Sequence, residues 1–225
     1  MSDTDSFIDE VNDEVRRERL FGYVKRYGWI AALAVVVIVG GAAFSEYRKA
    51  GARAQAEAVG DAMLAALSDP DASARAQALQ NVAGHNAQTQ AIAGLITASE
   101  AVLAGDNALA AAQLDAVAAN ADVPEIYRTI AAFKSLIAQA ETLPADELRT
   151  GFDALAVPGA PLRLLAQEQL ALLDIAQGNT DAAIDAYQAI LVDAEVTSDL
   201  QQRSLQLIVS LGGTPDLENM VQAGN

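Results

Sequence analysis

The segment Leu170–Leu191, LALLDIAQGNTDAAIDAYQAIL, contains the pattern on which most of the chain is built. Two proline-free runs rich in alanine and leucine flank Gly178-Asn179-Thr180. Glycine commonly ends a helix in a left-handed cap, and asparagine or threonine begins the next one. In the second run, Ala183, Tyr187 and Ile190 have the 4-then-3 spacing of one helix face. The segment therefore predicts two helices joined by a tight turn.

The same arrangement occurs twice earlier in the chain. Triplets with the same spacing are Ala110/Leu114/Val117 and Leu148/Phe152/Leu155, so successive triplets begin 38 and 35 residues apart. Each follows a helix breaker, Gly105-Asp106-Asn107 or Leu143-Pro144-Ala145. Before the three breakers, helices are predicted over Ile92–Ala104, Glu125–Glu141 and Leu162–Gln177. No strand pattern interrupts them, and a period of about 34 built from helix pairs is typical of tetratricopeptide-like arrays.

The resemblance to a tetratricopeptide repeat extends to single residues. The small, glycine, alanine, aromatic and apolar slots of that pattern are occupied by Ala171, Gly178, Ala183, Tyr187 and Ile190. The repeat around Ala98, Gly105, Ala110 and Leu114 matches less well, the Pro144 repeat has lost its glycine, and a first repeat with Arg75, Leu79 and Val82 is degenerate. No repeat has the early tryptophan. The resemblance implies an all-α, helical-hairpin solenoid.

A capping helix is predicted at the end of this array, over Asp199–Leu211. Its predicted inward-facing residues are Leu200, Ser204, Leu207, Ile208 and Leu211. Gly212-Gly213-Thr214-Pro215 then ends the helix, and one last turn is predicted to pack through Leu217, Met220 and Val221. A helix with a polar outer side closes the exposed end of a short solenoid.

Upstream of the array, Tyr27–Ser45 contains nineteen residues and no charge. A helix of this length runs roughly 28 Å, close to the hydrocarbon thickness of a bilayer. Aromatic residues lie at both edges of the run, which is their preferred depth in a membrane; they are Tyr23, Tyr27, Trp29, Phe44 and Tyr47. The sequence therefore predicts one transmembrane helix that continues as a helix through Glu46–Leu67, until Asp69-Pro70-Asp71 stops it.

The span is interpreted as an uncleaved anchor with a cytoplasmic N-terminus. Ala43-Phe44-Ser45 resembles the exit of a cleaved signal peptide, but the apolar run is longer than usual and 26 residues precede it. Five bases (Arg16, Arg17, Arg19, Lys25, Arg26) come before the span, against three (Arg48, Lys49, Arg53) soon after it. This excess favours a cytoplasmic N-terminus by a narrow margin.

The first 26 residues form a polar tail with an amphipathic middle. Phe7, Val11 and Val15 lie four apart, and Ser6 with Asp9 can cap the helix start. The segment is interpreted either as a short solvated helix that supplies the positive-inside signal or as a cytoplasmic docking helix. Within the span, Gly41-x-x-x-Ser45 is a candidate dimer face of small residues.

The layout of the whole chain resembles one bacterial family. The start FIDEVNDEVRRERL (Phe7–Leu20) precedes Tyr27-Gly28-Trp29, one span and an alanine-rich repeat domain that closes on Leu211-Gly212-Gly213. These features are similar to YfgM-type proteins, ancillary subunits of the SecYEG translocon that share their repeat domain with periplasmic cell-division coordinators. The resemblance implies a single-pass inner-membrane protein with a cytoplasmic tail (1–26), a transmembrane helix (27–45) and a periplasmic repeat domain (46–225).

The function that the resemblance implies is a non-enzymatic scaffold or chaperone accessory. Its partners would be SecYEG or a translocon-associated, membrane-anchored chaperone, in periplasmic protein handling. One alternative keeps the scaffold but assigns it to cell-wall or division machinery. An alternative of another class is an enzyme subunit of the envelope. The oligomeric state stays open.

Composition and motifs limit the chemistry. The net charge is −16, and residues 50–225 hold 22 acids against 7 bases, which argues against nucleic-acid binding and suits solubility or a salty habitat. No cysteine is present, and no glycine-rich phosphate loop joins a strand to a helix. The single histidine, His85, is interpreted as a surface residue, because a metal site needs three or four ligands. We therefore predict no catalytic, cofactor-binding or metal-binding residues and no cofactor.

Overall fold

In this computed structural model the described residues are 3–82, 84 and 86–216, with side chains described at 25, 26, 29 and 30 and from 33 onward. These residues form helices and no strand, so the all-α prediction is confirmed. The helices are α1 (Asp3–Leu67), α2 (Ala72–Gln80), α3 (Ala87–Leu103), α4 (Asn107–Ala119), α5 (Glu125–Ala138), α6 (Ala145–Leu155), α7 (Arg163–Ala176), α8 (Thr180–Leu191) and α9 (Ser198–Ser210).

Helix α1 ends where the sequence predicts a stop. Its last residue is Leu67, and Asp71 begins α2 by accepting a hydrogen bond from the backbone N–H of Ser73 at 2.7 Å. Among the described residues, no helix combines the length and the apolar character needed to cross a membrane. Of the predicted span, residues 27, 28, 31 and 32 lie outside the described side chains, as do residues 1–24 of the N-terminal tail.

The chain divides into two compact units, Met1–Ala58 and Val59–Asn225. In the second unit the helices pack chiefly on their neighbours in chain order, as in a helical solenoid. Three hydrophobic clusters follow one another along it. The first joins α2 to α5, the second centres on Leu148, Phe152 and Ala166, and the third joins α7 to α9. The core is therefore an elongated series of neighbour contacts and has no single centre.

The predicted core triplets are confirmed by burial. All six residues of the first and last triplets are buried, as are Leu148 and Phe152 of the middle one. Leu155, the third member of that middle triplet, is half-buried at the end of α6. In the capping helix, Leu200, Ser204 and Ile208 are buried, while Leu207 and Leu211 are half-buried. The predicted final turn through Leu217, Met220 and Val221 lies outside the described residues.

Three helices of the second unit end in the same left-handed glycine cap. Gly105, Gly178 and Gly212 have φ values of 77°, 79° and 84°, a region that other residues avoid. In each case the glycine N–H and the following N–H donate back to carbonyls of the last turn; for α7 these bonds are 3.0 and 2.9 Å long. This pair of bonds satisfies helix-end carbonyls. The glycine caps predicted at Gly105 and Gly178 are thus confirmed.

Two predicted helix boundaries need correction. Helix α3 begins at Ala87, five residues before the predicted start, because Asn86 and Thr89 form a reciprocal capping box. Helix α5 ends at Ala138, three residues early, because the N–H groups of Thr142 and Leu143 turn back to the carbonyl of Gln139, both at 2.9 Å. Local polar contacts decide both ends, and the apolar spacing does not report them.

Candidate interaction groove

A groove with a volume of about 300 Å³ lies between helices α3 and α5. On α3 its wall is formed by Leu95, Ser99 and Val102, which are spaced i, i+4, i+7 and so share one helix face. On α5 its wall is formed by Lys134 and Ile137. We call this site the α3–α5 groove.

The floor of the α3–α5 groove is apolar and belongs to the core. Ala98 and Leu114, each 2% exposed, lie beneath it. At the rim, Val102 is 48% exposed and Ile137 is 43% exposed. A firmly packed floor with aliphatic rim residues in contact with solvent is a surface that another apolar group can cover at little conformational cost.

Among the described residues, Lys134 is the only charged one that lines this groove. It is exposed, and no ion pair joins it to an acid among the described residues. Arg128, on the same helix, is likewise without an ion pair in the described part, and its Nε is buried without a hydrogen-bond partner. We call Val59–Asn225 the compact unit. Helix α5 therefore carries both cations of the compact unit that the described structure leaves unpaired.

The other four bases of the compact unit hold its helices together. Arg75 Nε donates to Glu100 Oε2 at 2.6 Å, which joins α2 to α3, and Arg149 joins α6 to α7 through Asp174 at 2.7 Å. The remaining two, Arg163 and Arg203, act between α7 and the segment that follows α8. All four guanidinium groups are thus neutralised inside the fold.

The pairs made by Arg163 and Arg203 border a second cavity of about 410 Å³. Arg163 donates to both carboxylate oxygens of Asp193, at 2.8 and 2.9 Å, and to Glu195 at 2.6 Å. These hydrogen bonds hold the pKa of the Asp193 carboxyl below its usual range. Each cation here already has carboxylate partners, so the described residues offer no unpaired cation to a ligand at this cavity.

Arg203, whose side chain is 40% exposed, pairs with the buried Glu168 beside this cavity. Its Nε and Nη2 donate to the two oxygens of Glu168, at 2.8 and 3.0 Å, and it also contacts Asp199. The hydroxyls of Tyr187 and Ser204 are buried in the same region without a hydrogen-bond partner among the described residues. Burial, and secondarily the charge of Glu168, raise the pKa of Tyr187 to about 12.

A third cavity, of about 280 Å³, lies between α2, α3 and α4. It is lined by amide side chains that include Gln80, Gln90 and Gln113. Gly94 allows the close approach of α3 and α4 here, because a Cβ at this position would meet Val117 Cγ2 at 2.8 Å. Among the described residues no charged side chain lines this cavity, and the hydroxyl of Thr97 in its lining donates to the carbonyl of Ala93 at 2.7 Å.

Sequence reasoning predicted no catalytic, cofactor-binding or metal-binding residues, and the structure leaves that prediction untested. Among the described residues, no group of three or more histidine, aspartate or glutamate side chains could hold a metal ion. His85 lies outside the described residues. Of the aromatic residues predicted to pack in the core, Tyr187 and Phe152 are buried and Tyr127 and Phe133 are half-buried. Phe133 and Phe152 contact edge to face, with centroids 5.8 Å apart.

The sequence reasoning missed the residues of the α3–α5 groove. Val102 and Ile137 are apolar residues near helix C-termini, and from spacing alone they look like core residues. Lys134 looks like any solvated base, because its lack of a partner depends on residues in neighbouring helices. A signal was nevertheless present: Lys134 is the only lysine after residue 49.

Comparisons with protein-family models, with curated proteins and with solved structures found no match for this chain.

Proposed function

We propose that this chain is a non-enzymatic interaction protein: a tetratricopeptide-like array, anchored in the bacterial inner membrane by residues 27–45, that serves as a scaffold or chaperone accessory at the Sec translocon. The N-terminus is cytoplasmic and the repeat domain periplasmic in this proposal. The array supplies a surface for partners, and the anchor holds that surface close to other membrane proteins.

The observation that carries the proposal is a run of exposed apolar side chains in the unit Met1–Ala58. Ten large apolar residues of α1 are exposed there; they are Trp29, Ile30, Leu33, Val35, Val36, Val37, Ile38, Val39, Phe44 and Tyr47. A soluble surface rarely carries so many apolar residues together, and such patches mark contacts with membranes or proteins. Together with the uncharged sequence of residues 27–45, this supports an anchor.

The compact unit supports the role of scaffold. Helix pairs with glycine caps at Gly105 and Gly178 pack on their chain neighbours, which is the geometry of tetratricopeptide-like arrays. The α3–α5 groove lies between helices that begin successive pairs and offers aliphatic rim residues to a partner. Arrays of this kind bind extended segments or partner helices.

The translocon as partner rests on the resemblance of Phe7–Leu20, Tyr27-Gly28-Trp29 and Leu211-Gly212-Gly213 to YfgM-type proteins. Tethering raises the effective concentration of the domain toward neighbouring membrane proteins, so weak contacts suffice for association. The rival assignment keeps the same scaffold and gives it to cell-wall or division machinery. The two assignments differ in which proteins stay bound.

Purification of the tagged full-length protein in mild detergent tests the proposal. We expect SecYEG subunits or a translocon-associated chaperone to co-purify. A variant in which an unrelated single span replaces residues 27–45 shows whether the span only tethers, in which case binding is retained, or is itself recognised, in which case binding is lost. Recovery of cell-wall or division proteins without translocon components would reject the partner and retain the scaffold.

A further inference from the structure

We infer that the α3–α5 groove binds a short amphipathic segment of a partner protein that carries two aliphatic anchor side chains and one carboxylate, and that is otherwise neutral or basic. The anchors occupy the space between Val102 and Ile137, and the carboxylate pairs with Lys134. This inference deepens the proposed function as an interaction protein, but it does not depend on which partner is bound.

The size and lining of the groove favour aliphatic anchors over a cofactor or a metabolite. A volume of about 300 Å³ is at the lower end of small-molecule sites. The floor residues Ala98 and Leu114 offer no polar group from their side chains, and Ser99 and Asn107 are the uncharged polar residues of the lining. A helix laid into a groove presents side chains at i and i+4 to such a space.

The carboxylate follows from the charge of Lys134. In the compact unit every base except Lys134 and Arg128 forms an ion pair with an acid of another helix or loop, within the described residues. The fold thus pairs four of the six bases of the compact unit internally and leaves Lys134 unpaired at the edge of an apolar groove. A carboxylate of the occupant can pair with this ammonium while the aliphatic anchors exclude water around it.

The rest of the occupant follows from the field of the whole unit. Residues 59–216 contain 20 acids and six bases, so a segment with many carboxylates is repelled at long range. A second copy of this chain brings the same excess of acids. A neutral or basic segment with a single carboxylate avoids that repulsion and still pairs locally with Lys134.

Binding of synthetic peptides to the full-length protein in detergent tests the inference. The first probe is an alanine- and glutamine-rich helical peptide of about 16 residues, with leucines at i and i+4, one glutamate a turn further on and two terminal lysines. The second probe has glutamine in place of the glutamate. We expect the glutamate peptide to bind at least about fivefold more tightly, as a charge-assisted hydrogen bond gives.

Two groove variants separate the charge from the apolar contact. Lys134→Met keeps an unbranched apolar stem and should abolish the preference between the two peptides. Val102→Asp should weaken both peptides about tenfold or more. The matched control is Val209→Asp: Val102 and Val209 each precede a left-handed glycine by three residues and are 48% and 61% exposed, so both variants place a carboxylate at a helix C-terminus. Val209→Asp should bind both peptides as the parent does.

Three results of the peptide-binding experiments would overturn the inference. They are failure of both peptides to bind at millimolar concentration, an unchanged preference in Lys134→Met, and equal losses in Val102→Asp and Val209→Asp. A parent protein that is dimeric by light scattering, and becomes monomeric only in Val102→Asp, would assign the groove to a second copy and reject the inference too. None of these results bears on whether the translocon co-purifies, so failure here and failure of the proposed function are distinguishable.

Discussion

Tyr187 is the largest fully buried side chain among the described residues, and it carries an unpaired polar atom. Its side chain is 0% exposed in the cluster that joins α7 to α9, and its hydroxyl has no hydrogen-bond partner among the described residues. The ring stabilises the fold by filling this space, whereas the hydroxyl has been taken out of water without compensation. The two parts of one side chain therefore act in opposite directions.

Truncation and conservative replacement of Tyr187 should differ in sign. Tyr187→Ala should lower the free energy of unfolding by about 3–5 kcal/mol, because a buried aromatic ring is lost. Tyr187→Phe keeps the ring and should be neutral or stabilising by up to about 1–2 kcal/mol, because the unpaired hydroxyl is removed. Urea unfolding followed by circular dichroism measures both. A loss above about 1 kcal/mol in Tyr187→Phe would show that the hydroxyl has a partner.

Tyr187 should also make the folded protein less stable in alkali. Its pKa is raised to about 12 in the folded protein, from an ordinary value of about 10, chiefly by burial. Between these two pH values the folded state therefore keeps a proton that the unfolded chain loses. The free energy of unfolding is at its full value below pH 10, as far as this group is concerned, and falls as the pH rises through 12. In urea unfolding at pH 8 and pH 11, Tyr187→Phe should lose less stability than the parent protein. Equal losses would contradict the raised pKa.

Gly178 has free space around it for a side chain, but its backbone conformation disfavours one. A Cβ would meet no atom within 4 Å, yet φ is 79°. Gly178→Val should therefore cost about 1–2 kcal/mol or more, because a β-branched residue resists the left-handed region. Gly60→Ala is the control: it is equally open but lies inside α1, where it should stabilise by about 0.5–1 kcal/mol. Thermal unfolding of both variants checks the opposite signs.

At the scale of the helices, the sequence predicts the features that neighbouring residues in the chain determine. Glycine at 105 and 178 marks helix ends because only glycine adopts a positive φ without strain, and the apolar triplets mark the buried faces. The apolar pattern does not predict helix boundaries that depend on polar groups, such as the start of α3 at Asn86 and the end of α5 at Gln139. The pattern does not predict the α3–α5 groove either, because its exposed rim and its buried floor are both aliphatic.

Pairing between helices could not be predicted from spacing alone. The ion pairs Arg75–Glu100 and Arg149–Asp174 each join residues 25 apart, and Arg163–Asp193 joins residues 30 apart. These separations are set by the lengths of the helices and turns between the partners. A chain with 30 acids offers many candidate partners for each arginine, so the choice is made only when the helices pack.

The Arg163–Asp193 pair joins the start of α7 to the loop after α8 and should make the protein sensitive to acid. Hydrogen bonds from Arg163 lower the pKa of Asp193, so the stability that this pair gives is present above the ordinary pKa of an aspartate, about 3.9. It is lost as the pH falls through the lowered value of the folded state. Acid unfolding therefore proceeds in part through the contact between α7 and this loop.

Asp193→Asn tests this link. The variant should unfold at a lower urea concentration than the parent at pH 7, and the difference should shrink as the pH is lowered toward 3. Asp153→Asn is the control, because Asp153 is exposed on α6 and no ion pair of its side chain is described. A difference for Asp193→Asn that is the same at both pH values would mean that the pair contributes through shape alone.

At the scale of the whole molecule, charge and apolarity are segregated along the chain. The unit Val59–Asn225 carries the acidic excess, and four of its five arginines form ion pairs within the described residues. The ten exposed apolar residues from Trp29 to Tyr47 lie in the other unit, with bases on both sides of them in the sequence. An acidic surface is repelled by anionic lipid headgroups, whereas the flanking bases are attracted to them. In the proposed topology, this segregation limits the membrane contact to the N-terminal unit.

The proposed topology gives the last prediction. The chain has no cysteine, so single cysteines at Ser2 and Gly224 report the two ends without interference. With the N-terminus in the cytoplasm, an impermeant thiol reagent applied to intact spheroplasts should label Ser2→Cys poorly and Gly224→Cys fully. Both should react after detergent lysis, which controls for access within the protein.

Labelling of Ser2→Cys alone would reverse the orientation that the small excess of bases before residue 27 favours. Equal protection of both ends in spheroplasts would remove the span from the proposal. A mature chain that begins after Ser45 by mass spectrometry would replace the anchor with a cleaved signal and leave the array as a free periplasmic protein.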